Sequence, residues 1–132
     1  MTDAEFVSSF EDCTLPNTSF HHRDHVRLAW IYLRRHSPLE ALARFAEGLK
    51  RFAAFNGHPG LYHETITWAY LFLIHERMAA EGEIWEEFAA RNPDLLAWKP
   101  SVLDRYYDPE TLGSERARQI FVLPQPRAAE IL

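Results

Sequence analysis

Apolar residues recur along this chain at helical spacing, and one block of them constrains the rest. Over residues 62–78, YHETITWAYLFLIHERM, the side chains of Ile66, Trp68, Tyr70, Leu71, Phe72, Leu73, Ile74 and Met78 leave no clearly polar face, so a helix here must be enclosed by other helices. The pattern predicts a buried central helix at about 62–80. Its first turn nevertheless carries His63, Glu64, Thr65 and Thr67, polar groups that need partners once they lose water.

The flanking pattern supplies the enclosing helices. Thr2 followed by Glu5 resembles a capping box, which starts a short helix through about Phe10 with Phe6, Val7 and Phe10 on one face. Residues 13–17, CTLPN, read as a loop, after which Thr18 or Ser19 can cap a helix over about 20–35. Val26, Ala29, Trp30 and Leu33 form its buried stripe. Ser37-Pro38-Leu39-Glu40 combines an N-cap, a proline at the first helical position and a glutamate placed to reach back. A third helix therefore begins at Pro38, buries Leu39, Leu42, Phe45, Ala46, Leu49, Phe52 and Ala53, and stops at Asn56-Gly57. After Gly82, residues 83–91 form a fifth helix with Ile84, Trp85 and Phe88 inward. Asn92 caps a short turn through Leu95, Leu96 and Trp98, and caps at Ser101, Asp108 and Ser114 break the last third into short helical pieces. Prolines at 124 and 126 leave residues 121–132 extended over the bundle. The expected architecture is all-α: one irregular bundle over residues 1–132, its strongest boundary signal at Pro38.

Composition narrows the function. A chain of 132 residues can bury one core without staples. The net charge of −5, with 14 basic residues scattered along the chain, argues against a nucleic-acid partner. The single cysteine, Cys13, excludes a disulfide framework or a Cys-rich zinc site and reads as a small buried or loop residue. The acidic start MTDAEFVSSFEDC lacks a secretion signal, and no apolar run approaches a bilayer span. The default is a cytoplasmic protein with a small-molecule partner, able to form a homo-oligomer and engaging neither nucleic acid nor membrane.

The candidate chemistry lies at two helix beginnings. On a helix, His22, His25, Val26, Ala29 and Leu33 share one face, so two imidazoles point where apolar residues enter the core. If this face meets the start of the central helix, His22, His25, His63 and Glu64 form a nitrogen and oxygen set suited to a divalent transition metal such as zinc, iron or copper. Glu64 is then a fourth ligand or the general base for metal-bound water, with Thr67 orienting that water. His21 rivals His22, since it stands four residues before His25. His75 lies roughly 18 Å along the axis from His63, and His36 roughly 21 Å from His22, so neither can join, whereas His58 can through its loop. His63-Glu64-x-x-Thr67 has threonine where the zinc-protease motif needs histidine. The leading expectation is thus a metal-binding protein or small metal-dependent enzyme. One rival is a metal-free module in which the two positive helix ends and Arg23 attract an anionic small molecule. Another is a structural or interaction protein whose histidines complete hydrogen bonds. Arg105, Tyr106 and Tyr107 with Arg116 and Arg118 could clamp an acid, although pairing with Asp104, Asp108 and Glu115 accounts for them equally. Trp30, Trp68, Phe72, Trp85 and Trp98 are expected in the core.

Three blocks carry a resemblance: FHHRDHVRLAWIYL over 20–33, YHETIT over 62–67, and RYY with the later SERARQIFVLP over 105–124. They resemble blocks shared by a family of small bacterial proteins with no established activity, over most of the chain. The resemblance implies an intact domain with a shared site around His22, His25, His63 and Glu64, and it implies no substrate. The chain departs from that pattern at Asp108, where serine follows the tyrosine pair, and at Gln125, where aspartate is usual.

Overall fold

Most helices begin at a residue whose side chain accepts one of the free N–H groups of the first turn, which is why short polar signals set the boundaries. In the computed structural model, which describes residues 1–78 and 81–125, Thr2 and Glu5 exchange hydrogen bonds at 3.1 Å and open α1, Asp3–Glu11. Helix α2, His22–Arg35, starts later than Thr18 or Ser19 would place it. Those two residues lie in a 3-10 turn, Asn17–Ser19, and Asp24 instead receives the N–H of His21 at 3.0 Å. Ser37 caps α3, Pro38–Phe55, while Glu40 does not reach back but pairs with Arg44 at 2.9 Å. After Asn56, Gly57 adopts φ +80°, the left-handed turn that closes a helix with no Cβ penalty.

A second 3-10 turn, Pro59–Leu61, leads to α4, Glu64–Arg77. The remainder is short: α5, Trp85–Arg91; α6, Pro93–Leu96; a 3-10 turn Val102–Arg105; α7, Pro109–Leu112; and α8, Glu115–Gln119. Asp108 and Ser114 cap the last two as their sequence suggests. No strand occurs among the described residues, and the fold is an all-α single domain around one apolar core. Residues 79, 80 and 126–132, which carry the end of the expected central helix and most of the expected extended tail, lie outside the described residues.

Helices α2, α3 and α4 pack mutually, with α1 against α3, α6 against α2 and α8 against α4. The α4 helix shares the centre with α2, whose residues 28–33 are all buried. The arginines of α2 do not mark a purely solvent-facing side: Arg27 reaches Asp3 at 2.6 Å and lies over Phe6, while Arg34 lies over Trp30. Long stems carry their charges outward and let the helix sink. Conversely α4 exposes Phe72, His75 and Glu76, so its enclosure is incomplete. Phe121 covers part of that side by stacking on Trp68 with ring centroids 5.2 Å apart. Close approach of α1 to α3 depends on Gly48, where a Cβ would stand 2.5 Å from the Phe10 ring.

Besides Phe72, expected in the core but 40% exposed, three inward assignments are corrected. Leu39 is 78% exposed and Ile84 55%, because each sits at a helix beginning, where no neighbouring element covers that side. Trp98 is 48% exposed and leaves the core to pack on His22. No helix among the described residues is long and apolar enough to cross a membrane.

Candidate functional site

The first turns of α2 and α4 and the second half of α3 border an open-sided cavity of about 430 Å³. Its wall is mainly apolar: Phe20, Val26, Phe45, Leu49, Phe52, Ile66 and Ile74 contribute, with Tyr62, Tyr70 and Trp98. Its sides are formed by the large residues of α3 at 45, 49 and 52 and, from α2, by the imidazoles of His22 and His25 with Val26.

His22, His25 and His63 all line this cavity, so the two imidazole-bearing helix beginnings are neighbours. His58 joins them from its loop, whereas His21 is exposed at the N-cap of α2 and lies off the wall. The rings differ in what they still offer. His63 donates from Nε2 to the carbonyl of Leu112 at 2.7 Å and accepts the Ile66 N–H on Nδ1 at 3.1 Å. Both nitrogens are engaged, and the second bond is an N-cap for α4. His22 donates from Nε2 to Leu95 at 2.8 Å between the rings of Tyr70 and Trp98, which leaves Nδ1. His25 packs on Phe20 with ring centroids 4.1 Å apart and makes no hydrogen bond through its ring among the described residues.

Burial sets the charge of these rings. Removal from water pushes the His25 imidazole down to about 4, with repulsion from His22 and His21 adding to the effect. His22 is also lowered by burial, partly offset by its bond to Leu95. His25 is therefore a neutral ring at ordinary pH, offering one donor and one acceptor to whatever enters.

The other expected site residues point elsewhere. One Glu64 oxygen accepts the Tyr62 hydroxyl at 2.5 Å and the Trp68 indole N–H at 3.0 Å, and Glu64 lies off the cavity wall. Burial, with that bond to Glu64, pushes the Tyr62 hydroxyl up. Thr67 lines the cavity but donates its hydroxyl to the His63 carbonyl at 2.8 Å, one turn back. Arg23, expected at the converging helix ends, is exposed and lies over the Trp85 ring, off the wall. Among the described residues no three His, Cys, Asp or Glu side chains converge as a metal ion requires.

Two features escape sequence reasoning. One is Arg118, a wall residue whose Nη1 donates to Gly60 at 2.7 Å and Tyr62 at 3.4 Å, 58 and 56 residues away along the chain. Its only legible signal was its place in the arginine cluster. The other is the buckle that locks the C-terminal third onto α4: Thr65 donates to the Ile120 carbonyl at 2.8 Å and accepts the Val122 N–H at 3.0 Å, and Tyr107 holds the Val122 carbonyl at 2.7 Å. Comparison with protein-family models, with curated proteins and with solved structures finds no match.

Proposed function

We propose that this chain is a small-molecule-binding module whose ligand occupies the cavity between α2, α3 and α4, as a compact and largely apolar molecule with a hydrogen-bonding group against His25. One observation carries the reading: a neutral, part-buried imidazole stands in a mainly apolar wall and makes no hydrogen bond through its ring among the described residues. That ring offers one donor and one acceptor to a ligand that enters the cavity. The volume of about 430 Å³ falls within the range of small-molecule sites.

The metal-dependent enzyme is the second reading, favoured by His22, His25 and His58 lining one cavity. It must proceed without His63, whose nitrogens are both bonded, and without Glu64, whose carboxylate faces Tyr62 and Trp68. A donor set reduced in this way fits a metal poorly, since three or four well-oriented ligands are usual.

Titration of wild type and His25→Leu with phenol and with toluene, followed by NMR, tests the first reading. Phenol should bind roughly tenfold more tightly than toluene in wild type, because only phenol satisfies the ring, and about equally in the variant. Failure of both probes to bind, or a phenol advantage that survives His25→Leu, would overturn it. Elemental analysis of protein purified without a nickel column is the other arm. Stoichiometric metal that disappears in His25→Ala would replace this proposal with the metal centre.

A further inference from the structure

The charge at the cavity wall narrows the ligand class. Arg118 is the only Asp, Glu, Lys or Arg among the described residues that line the cavity. Exposed His58 and Leu61 mark where the wall meets solvent, and the Arg118 side chain, 36% exposed, stands at that edge. Its position does not depend on a carboxylate. Nη1 is held by the carbonyls of Gly60 and Tyr62, while the nearest acid, Glu115, sits at 3.9 Å with a side chain 70% exposed.

This is a guanidinium fixed by neutral acceptors and only weakly balanced by the protein. A guanidinium has five N–H donors, so those on the other nitrogens can pass from water to a ligand. Because the side chain is already ordered, a carboxylate meeting it would not incur the usual entropy of arresting an arginine. The surroundings favour the same sign. Helices α2 and α4, each of 14 residues, both place first-turn residues on the wall, and their N-terminal ends carry partial positive charge. Lys50 adds a cation 5.1 Å from the Tyr62 ring centroid. Opposing them is Glu64, whose carboxylate is held by Tyr62 and Trp68 away from the wall. One fixed cation at the rim, with an apolar interior behind it, matches a single negative charge rather than a polyphosphate.

We propose that the ligand is a small organic acid, with one carboxylate at Arg118 and an apolar body against Phe20, Phe45 and Phe52. This inference rests on the reading that the cavity binds an organic molecule, and it assigns Arg118 as the residue that selects for charge.

The test compares 3-phenylpropionate with its uncharged amide by titration calorimetry on wild type, Arg118→Gln and Arg118→Lys. Wild type should prefer the acid at least tenfold, Arg118→Gln should reduce the preference below threefold, and Arg118→Lys should retain most of it. Gln keeps a donor for the Gly60 carbonyl, and circular dichroism of both variants checks that the fold persists. Equal binding of acid and amide to wild type would overturn the acid assignment while leaving the binding cavity standing. An acid preference unchanged in Arg118→Gln would remove Arg118 from its role. Binding of neither compound would overturn the cavity reading as well.

Discussion

At the start of α4 the imidazole of His63 gives its Nε2–H to Leu112 and takes the Ile66 N–H on Nδ1, whereas three residues into α2 the ring of His25 bonds to nothing among the described residues. The two rings border one cavity, and both belong to first turns of 14-residue helices. What separates them is the supply of backbone groups. His63 stands at an N-cap, where free N–H groups are in excess, and the C-terminal third brings the Leu112 carbonyl to its other side. At His25 the helix has closed over its own backbone, since the His25 N–H already bonds to the His21 carbonyl at 3.1 Å. An imidazole in the first position organises structure. In the second its ring makes no bond to the protein among the described residues.

Truncating the two side chains should separate them most clearly. His63→Ala removes the cap, at about 1 kcal/mol, and strands the Leu112 carbonyl, at about 1–3 kcal/mol, for a total loss of about 2–4 kcal/mol in urea unfolding. His25→Leu replaces an imidazole that makes no bond to the protein among the described residues with an apolar side chain of similar size, and should change stability by less than about 1 kcal/mol. Equal losses in the two variants would mean that His25 has a structural partner after all. His63→Asn restores a capping acceptor but is too short for Leu112, and should recover about 1 kcal/mol.

Acid should act on the His25 ring next. Between the ordinary histidine value of 6.5 and the folded value of about 4, the unfolded chain binds a proton at His25 and the folded chain does not. Stability therefore falls as pH drops through that window, by at most about 3 kcal/mol, and His22, lowered for the same reason, acts with the same sign. Asp94, held down by Arg77, loses its contribution only below its ordinary 3.8, outside the window. Chemical unfolding at pH 7 and pH 4.5 should show this slope in wild type and a flatter one in His25→Leu. An unchanged slope in the variant would place the acid-sensitive group elsewhere.

Helix starts at Thr2, Ser37, Asp108 and Ser114 were legible because each follows from residues three or four apart, whereas the full enclosure expected of the 62–78 block fails on the side of Phe72, His75 and Glu76. The pairing of the two histidine-bearing helix starts was also legible as an expectation, since imidazoles on an apolar stripe need somewhere to point. What His63 and Glu64 bond to was not, because Leu112 lies 49 residues from His63 and Trp68 competes locally for the Glu64 carboxylate. The depth at which α2 is buried was not legible for a different reason: arginine stems lie over Phe6 and Trp30, so charge in the sequence concealed burial in the fold. Nor does any local pattern announce a void, which depends on what the facing helix fails to fill.

The buckle on α4 extends the comparison to Thr65, buried beside His63 and equally committed to the C-terminal third. Thr65→Val keeps shape and removes both bonds, leaving the Ile120 carbonyl and the Val122 N–H to find water. The expected loss is about 1–2 kcal/mol, with faster amide exchange at residue 122 and little change in phenol binding. A comparable loss of phenol affinity would mean that the buckle shapes the cavity and that the division into a structural and an available helix start is too sharp.

The smallest expected effect is at Arg23, and it separates charge at the cavity rim from charge on the outside of α2. Arg23 is exposed and rests on the Trp85 ring at 5.6 Å, an arrangement worth about 0.5 kcal/mol. Arg23→Ala should therefore shift unfolding by no more than that and leave the preference for 3-phenylpropionate over its amide intact. At an ionic strength near 0.15 M, screening over about 8 Å leaves an external cation little hold on a carboxylate seated at Arg118. If Arg23→Ala instead abolished that preference, the acid would be binding on the outer face of α2, and the positive helix end rather than the enclosed wall would be the site.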